Sequence, residues 1–243
     1  MMQEFSRTAL LLGTQSLERL AQAHVAVCGV GGVGGAAAEG LARAGVGAIT
    51  LIDNDTVSVS NRNRQIIALA STTGKPKTEV MAERIRDIHP HCAVTPLQMF
   101  LSPDNMPDLS QFDYVIDAID TVTAKLHLIE TCDRLGVPLI CSMGTGNKLD
   151  PTKFQVADIY QTSVCPLARV IRQACKKRRI RKLKVVFSTE EAARIPPERY
   201  ALCPDETKGT AGRPVPASVS FVPPVAGFIL AGAVIKDLTE GFR

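Results

Sequence analysis

Apolar residues fall in short, uninterrupted blocks along the first 150 positions. His24–Cys28, Ala48–Ile52, Ala93–Leu97, Tyr114–Ile119 and Val137–Cys141 have the length and composition of strands buried on both faces. Between them, residues 35–44, Lys77–Ile88 and Thr123–Leu135 repeat apolar positions at helical spacing. Strand and helix alternate, so the pattern predicts an α/β fold: a doubly wound, mostly parallel sheet with helices on both faces.

After Gly144 the pattern changes. Phe154–Tyr160 alternates like an antiparallel strand, 166–182 predicts a basic helix, and Val185–Ser188 predicts a short strand. Residues 189–217, rich in Pro, Gly and charge, predict a mobile loop. Pro223-Pro224 then opens a last apolar helix reaching Leu238, proline being tolerated in a first helical turn.

Composition adds two constraints. The 243 residues carry 28 Lys and Arg against 24 Asp and Glu, a formal charge of +4. Seven of the basic residues (Lys176, Lys177, Arg178, Arg179, Arg181, Lys182 and Lys184) share a stretch without acids; the remainder holds 21 basic against 24 acidic residues, a net of −3. The excess is local, which points to a polyanionic partner at one place. The seven cysteines are irregularly spaced and form no CxxC pair, which fits reduced thiols and gives no structural zinc spacing. The longest apolar stretch, Val222–Ile235, is interrupted by two prolines and too short to span a bilayer. A cytoplasmic protein without a membrane segment is expected.

Gly29-Val30-Gly31-Gly32-Val33-Gly34 joins the first strand to the first helix of this unit, and Asp53 closes the next strand. The glycines let phosphate approach the backbone, the helix N-terminus offers N–H donors, and the carboxylate suits ribose hydroxyls. This Rossmann-like pattern marks a nucleotide site without choosing the nucleotide. The residues that follow favour ATP over a nicotinamide cofactor. Hydride transfer needs an apolar slot, whereas nucleotidyl transfer needs cations for the phosphates and a carboxylate for magnesium. Arg64, Lys77 and Asp120 supply those types.

The run Asp53-Asn54-Asp55-Thr56-Val57-Ser58-Val59-Ser60-Asn61-Arg62-Asn63-Arg64-Gln65, with Gly74–Lys77 and Asp117–Asp120, resembles the adenylating domain of ubiquitin-activating-enzyme-like proteins. The resemblance implies that 1–150 is the ATP-binding adenylating domain, with Gly29, Gly31, Gly32, Gly34 and Asp53 holding the nucleotide. It places Asn61, Arg64 and Lys77 at the phosphates and Asp120 on Mg2+, with Asp55 and Gln65 among the other nucleotide-binding residues. It also implies a homodimer in which Arg7 reaches the partner's site. Asn61 reads equally well as a helix cap.

Within that superfamily, the second half resembles the tRNA threonylcarbamoyladenosine dehydratases. The matching stretches are Phe5–Thr8, Ser142–Pro151, Ala157–Leu167, Val185–Ser188 and Ser220–Pro223. Residues 151–243 are then a C-terminal extension of the same domain. The implied reaction adenylates the threonyl carboxylate of the modified adenosine with ATP. A nitrogen of the same modification then closes a ring and AMP leaves. Intramolecular attack needs no protein nucleophile. The basic run from Lys176 to Lys184 becomes the candidate tRNA contact. The alternative is an enzyme that activates the C-terminus of a small sulfur-carrier protein through Cys165 or Cys203, with a sulfur-relay partner. An NAD-dependent oxidoreductase is a weaker third.

Overall fold

The computed structural model describes residues 3–202 and 215–241. Seven strands form one sheet: β1 (His24–Cys28), β2 (Ala48–Asp53), β3 (Ala93–Gln98), β4 (Tyr114–Asp117), β5 (Leu139–Ser142), β6 (Phe154–Asp158) and β7 (Lys184–Ser188). Their order is β3-β2-β1-β4-β5-β7-β6, parallel throughout except for β6 at the edge. The chain winds outward from β1 to β3, then restarts at β4 on the other side of β1. The switch point between β1 and β4 is where open α/β sheets bind ligands, at the carboxyl ends of the strands. Register brings those ends level: Cys28 pairs with Ile52 and with Asp117, and Asp117 pairs with Cys141.

Helices cover both faces: α1 (Ser6–Leu12), α2 (Thr14–Gln22), α3 (Gly34–Ala44), α4 (Lys77–Ile88), α5 (Val122–Leu135), α6 (Pro166–Lys177) and α7 (Pro223–Leu238). α3 is made of Gly and Ala on almost every side and is nearly all buried. It lies against the sheet on one side and α7 on the other, where Gly40 faces Ala231 and Phe228. The last helix thus packs on the helix that follows the glycine loop, and β7 continues the parallel sheet beside β5. The sheet runs unbroken through 1–150 and the extension.

Several predicted ends move for local reasons. The strand begun at Tyr114 stops at Asp117, whose Oδ1 accepts from the N–H of Ile119 at 3.0 Å and turns the chain. The strand from Phe154 stops at Asp158, whose side chain caps a 3-10 turn by accepting from Tyr160 N–H. The basic helix expected over 166–182 ends at Lys177, and Arg179 takes a positive φ of 61°. The anticipated loop 189–217 is partly ordered: Pro197–Leu202 forms 3-10 turns and residues around 190 and 217 are hydrogen-bonded to the turn after β5. Its centre lies outside the described residues. Among the described residues, no helix is long and apolar enough to cross a membrane.

Candidate active site

A cavity of about 580 Å3 opens at the switch point. It gathers residues from stretches dispersed along the chain, among them the glycine loop, the Asp53–Gln65 segment, Lys77, the turn after β4, and the turn after β5. The glycine loop is held shut against β2. Asp53 Oδ2 accepts from Val30 N–H at 2.6 Å and Oδ1 accepts from Asp55 N–H at 2.8 Å. At Gly34 a side chain is excluded, because a Cβ would run into the carbonyl oxygen of Gly29. The loop therefore turns tightly into α3, with Gly35 N–H already taken by the Gly31 carbonyl at 2.9 Å, and sets the positive end of the helix toward the cavity.

Of the residues singled out in the sequence, Gly29, Gly31, Gly32, Asp53, Asp55, Asn61, Arg64, Gln65, Lys77 and Asp120 all line the cavity. Their partners divide the roles. Lys77 is buried and donates from Nζ to Asp55 Oδ2 at 2.7 Å, while Asp55 is largely exposed. Asp55 thus orients Lys77. Asn61 is not the cap: Ser58 holds that position, and Asn61, third in the 3-10 turn Val59–Asn63, reaches back to accept from Ser58 N–H at 3.2 Å while also facing the cavity. Arg64 donates from one nitrogen to Ser60 O and Asn63 Oδ1 and has no acidic partner among the described residues. Gln65 is buried, and its Oε1 has no hydrogen-bond partner. An orphaned amide against the cavity fits a bound polar ligand, since buried polar groups are rarely left unmet. Asp120 stands exposed on the β4 side. Arg7 lies exposed on α1 and does not line the cavity of its own chain.

Other wall residues carry no motif. Met99, Phe100 and Leu101 follow β3 beside Asp53, and Phe100 is half exposed to the opening. Their only signal in the sequence is an apolar run beyond a strand end. Beneath the floor, Lys125 donates to Asp117 Oδ2 at 2.7 Å and to the carbonyl of Ser142 at 3.1 Å, with both charged side chains fully buried. Nothing in the sequence signals this, since a lone lysine between apolar helix positions reads like any other surface lysine, although Ala124, Leu128 and Ile129 beside it on α5 are all buried.

The ThiF family model matches residues 5–240. The chain belongs to the ThiF family. Within the family it is 46% identical to the tRNA threonylcarbamoyladenosine dehydratase of Bacillus subtilis, over 99% of this chain and 96% of that protein. The crystal structure of the Escherichia coli tRNA N6-threonylcarbamoyladenosine dehydratase in complex with ATP superposes with a TM-score of 0.85 at 40% identity, covering 97% of this chain and 93% of that one. The molybdopterin-synthase adenylyltransferase of Salmonella typhimurium is 40% identical over 57% of each chain.

The cysteines and the basic run take their places from burial and pairing. Cys165 is buried, behind the turn at Gly144 rather than in the cavity. Cys28 and Cys141 are pushed well up by burial and by the neighbouring Asp117 carboxylate, and burial raises Cys132 to about 12 and Cys175 to about 11. None of these favours a thiolate. Cys203 lies outside the described residues. The basic run is not one helical face. Lys184 belongs to β7 and is fastened to Asp237, which also accepts from the Tyr114 hydroxyl. Arg178 pairs with Glu130 at 2.9 Å. Lys176, Lys177, Arg179, Arg181 and Lys182 remain exposed, and Arg169 extends the exposed basic surface along α6 toward Leu167 at the cavity.

Proposed function

We propose that this chain dehydrates threonylcarbamoyladenosine in tRNA at the expense of ATP, using the cavity at the switch point. The observation that carries the reading is that one cavity unites the glycine loop, Asp53, Arg64, Lys77 and Asp120 with an open wall beyond β4, while no cysteine lines it among the described residues. Likeness to the dehydratases over nearly the whole chain supports it, against 57% coverage for the sulfur-carrier activator.

In this reading the adenosine lies at the β2 end against Asp53 and Met99–Leu101, and the phosphates run over the glycine loop toward Arg64 and Lys77. The threonyl carboxylate attacks the α-phosphorus and pyrophosphate leaves. Arg64 and Lys77 stabilise the charge that builds on the transferring and departing oxygens. A nitrogen of the same modification then attacks the acyl carbon and AMP departs with the electrons of the broken C–O bond, so the nucleoside loses one water overall. Magnesium fits Asp120. Among the described residues no three His, Cys, Asp or Glu gather to cage an ion, and magnesium is commonly carried by one or two carboxylates with substrate phosphates and water. When bound it would offset phosphate charge. A homodimer supplies Arg7 to the partner's cavity, and the enzyme works in the cytoplasm with its tRNA.

The test uses the full chain with ATP, magnesium and tRNA carrying the open modification, followed by digestion and weighing of the nucleosides. Loss of one water is expected. Unchanged mass, with a small sulfur-carrier protein instead stimulating pyrophosphate exchange, sinks the reading. The exposed cations give a second expectation. Replacing Lys176, Lys177 and Arg179 by alanine should reduce the salt slope of tRNA binding by about 2–3, since each neutralised phosphate adds roughly 0.7–0.9 to that slope. ATP affinity should stay within about twofold, because this patch supplies none of the cavity lining; a parallel loss of both refutes the assignment.

A further inference from the structure

The turn after β5 grips a segment some seventy residues further along the chain. Asn147 has a positive φ of 57°, a conformation that asparagine tolerates better than most residues. From it three hydrogen bonds of 2.7 Å extend: its N–H donates to Ala217 O, its Oδ1 accepts from Ala217 N–H, and its carbonyl accepts from Ala193 N–H. The residue before it leaves no room for a side chain, since a Cβ on Gly146 would stand 2.5 Å from Pro216 Cβ. At the other end, Asn63 Nδ2 donates to Ser218 O at 3.0 Å. Val215–Ser218 is thus laid as a strap from the neighbour of Arg64 to the turn at Gly146, and Val215, Pro216 and Ser218 face the cavity.

Strand order says which part of the ligand that wall meets. Asp53 ends β2, the glycine loop leaves β1, Asp120 follows β4, and Gly144–Gly146 follows β5. Adjacent strands lie about 4.8 Å apart, so the β5 turn stands about 14 Å from the β2 end. It lies beyond the phosphates, on the side from which an acyl group reaches them. The strap crosses between the Arg64 segment and this turn, where phosphate and acyl group meet.

We propose that Asn147 is a positioning residue for the acyl substrate: it fixes the Val215–Ser218 strap as the wall that holds the threonylcarbamoyl group, and it does not serve ATP binding. The inference rests on the proposed function and deepens it. Asn147→Gly keeps the left-handed backbone and both main-chain bonds while removing only the Oδ1 acceptor, so that the exposed Ala217 N–H passes from the asparagine to water and the strap loses one of its fastenings. Asn147→Asp keeps the acceptor. Gly146→Ala pushes Pro216 away by a different route.

Steady-state kinetics on the modified tRNA decide the matter. Asn147→Gly should lower kcat/KM for the tRNA by about two- to tenfold, the worth of one solvent-accessible hydrogen bond, and Gly146→Ala, which displaces Pro216 itself, should lower it at least as far. ATP affinity, read by calorimetry with a non-hydrolysable analogue, should stay within about twofold, and Asn147→Asp should recover most of the loss. Amide exchange at Ala217 should quicken in Asn147→Gly, which reports the strap's release without substrate. Parallel loss of ATP affinity, or wild-type kcat/KM in Asn147→Gly with Ala217 exchange accelerated, overturns the inference while the proposed function stands. Failure of the wild-type protein to remove water sinks the proposed function instead, and Ala217 exchange still tells whether the strap was fastened as described.

Discussion

Lys125→Met is expected to lower the stability of the folded protein by about 3–5 kcal/mol, the cost of leaving a buried charge without its partner. Lys125 and Asp117 meet at 2.7 Å with no side-chain exposure on either, so water cannot take the place of the lost ammonium. The same ammonium also meets the carbonyl of Ser142, so its removal leaves two acceptors unsatisfied. Thermal unfolding should show a fall of about 6–20 °C for a chain of this size. Adding Asp117→Asn should return part of that loss. The amide still offers an oxygen to Ile119 N–H and no longer carries a charge. A Lys125→Met midpoint within about 2 °C of wild type contradicts the assignment of this pair. The consequence reaches the site, because Asp117 begins the turn that carries Asp120 and Ser142 begins the turn that carries Gly144 and Gly146. The pair bonds the ends of β4 and β5 together under the cavity.

That pair also marks the boundary of what is legible in the sequence. The inner parallel strands are readable because burial on both faces demands continuous apolar blocks, whereas β3, expected to be buried, lies at the sheet edge with no residue buried; the glycine loop is readable because sterics demand glycine where strand turns into helix. Nucleotide-facing residues are readable because their chemistry stands in compact runs such as Asp53–Gln65. Lys125 is not, since a single lysine in a helix gives no sign that its neighbours are apolar on every side. Nor does composition reveal that α7 closes on α3. That packing depends on small residues far apart in the chain: Gly40 on α3 faces Ala231 and Phe228, and Gly227 on α7 faces Val33, Ala36 and Ala37. The basic run predicts a longer helix than forms because charge periodicity does not register where a chain turns; Arg179 at positive φ ends the helical path, and Asp237 draws Lys184 into the sheet.

Arg64→Ala should lower kcat by about 10²–10³, the usual loss when one preorganised stabiliser of transition-state charge is removed. The side chain lines the cavity, and its guanidinium has no carboxylate among the described residues to neutralise it. Its charge is therefore available to phosphate oxygens, and its removal leaves no buried anion behind. Unfolding should shift little. Lys77→Met offers a parallel: Lys77 is buried but its partner Asp55 is largely exposed and can be solvated, so this variant too should lose turnover with little change in unfolding. Arg64→Lys should restore only part of kcat, because an ammonium supplies charge without the planar fork that grips two oxygens. The comparison is made by single-turnover measurement of water loss from the modified tRNA at saturating ATP, alongside thermal unfolding of each variant. If Arg64→Ala keeps more than about a third of wild-type turnover, the transition-state charge is carried elsewhere and the cation's place in the cavity is structural. If Arg64→Lys matches wild type, charge alone suffices and the fork geometry is irrelevant to the phosphate it meets.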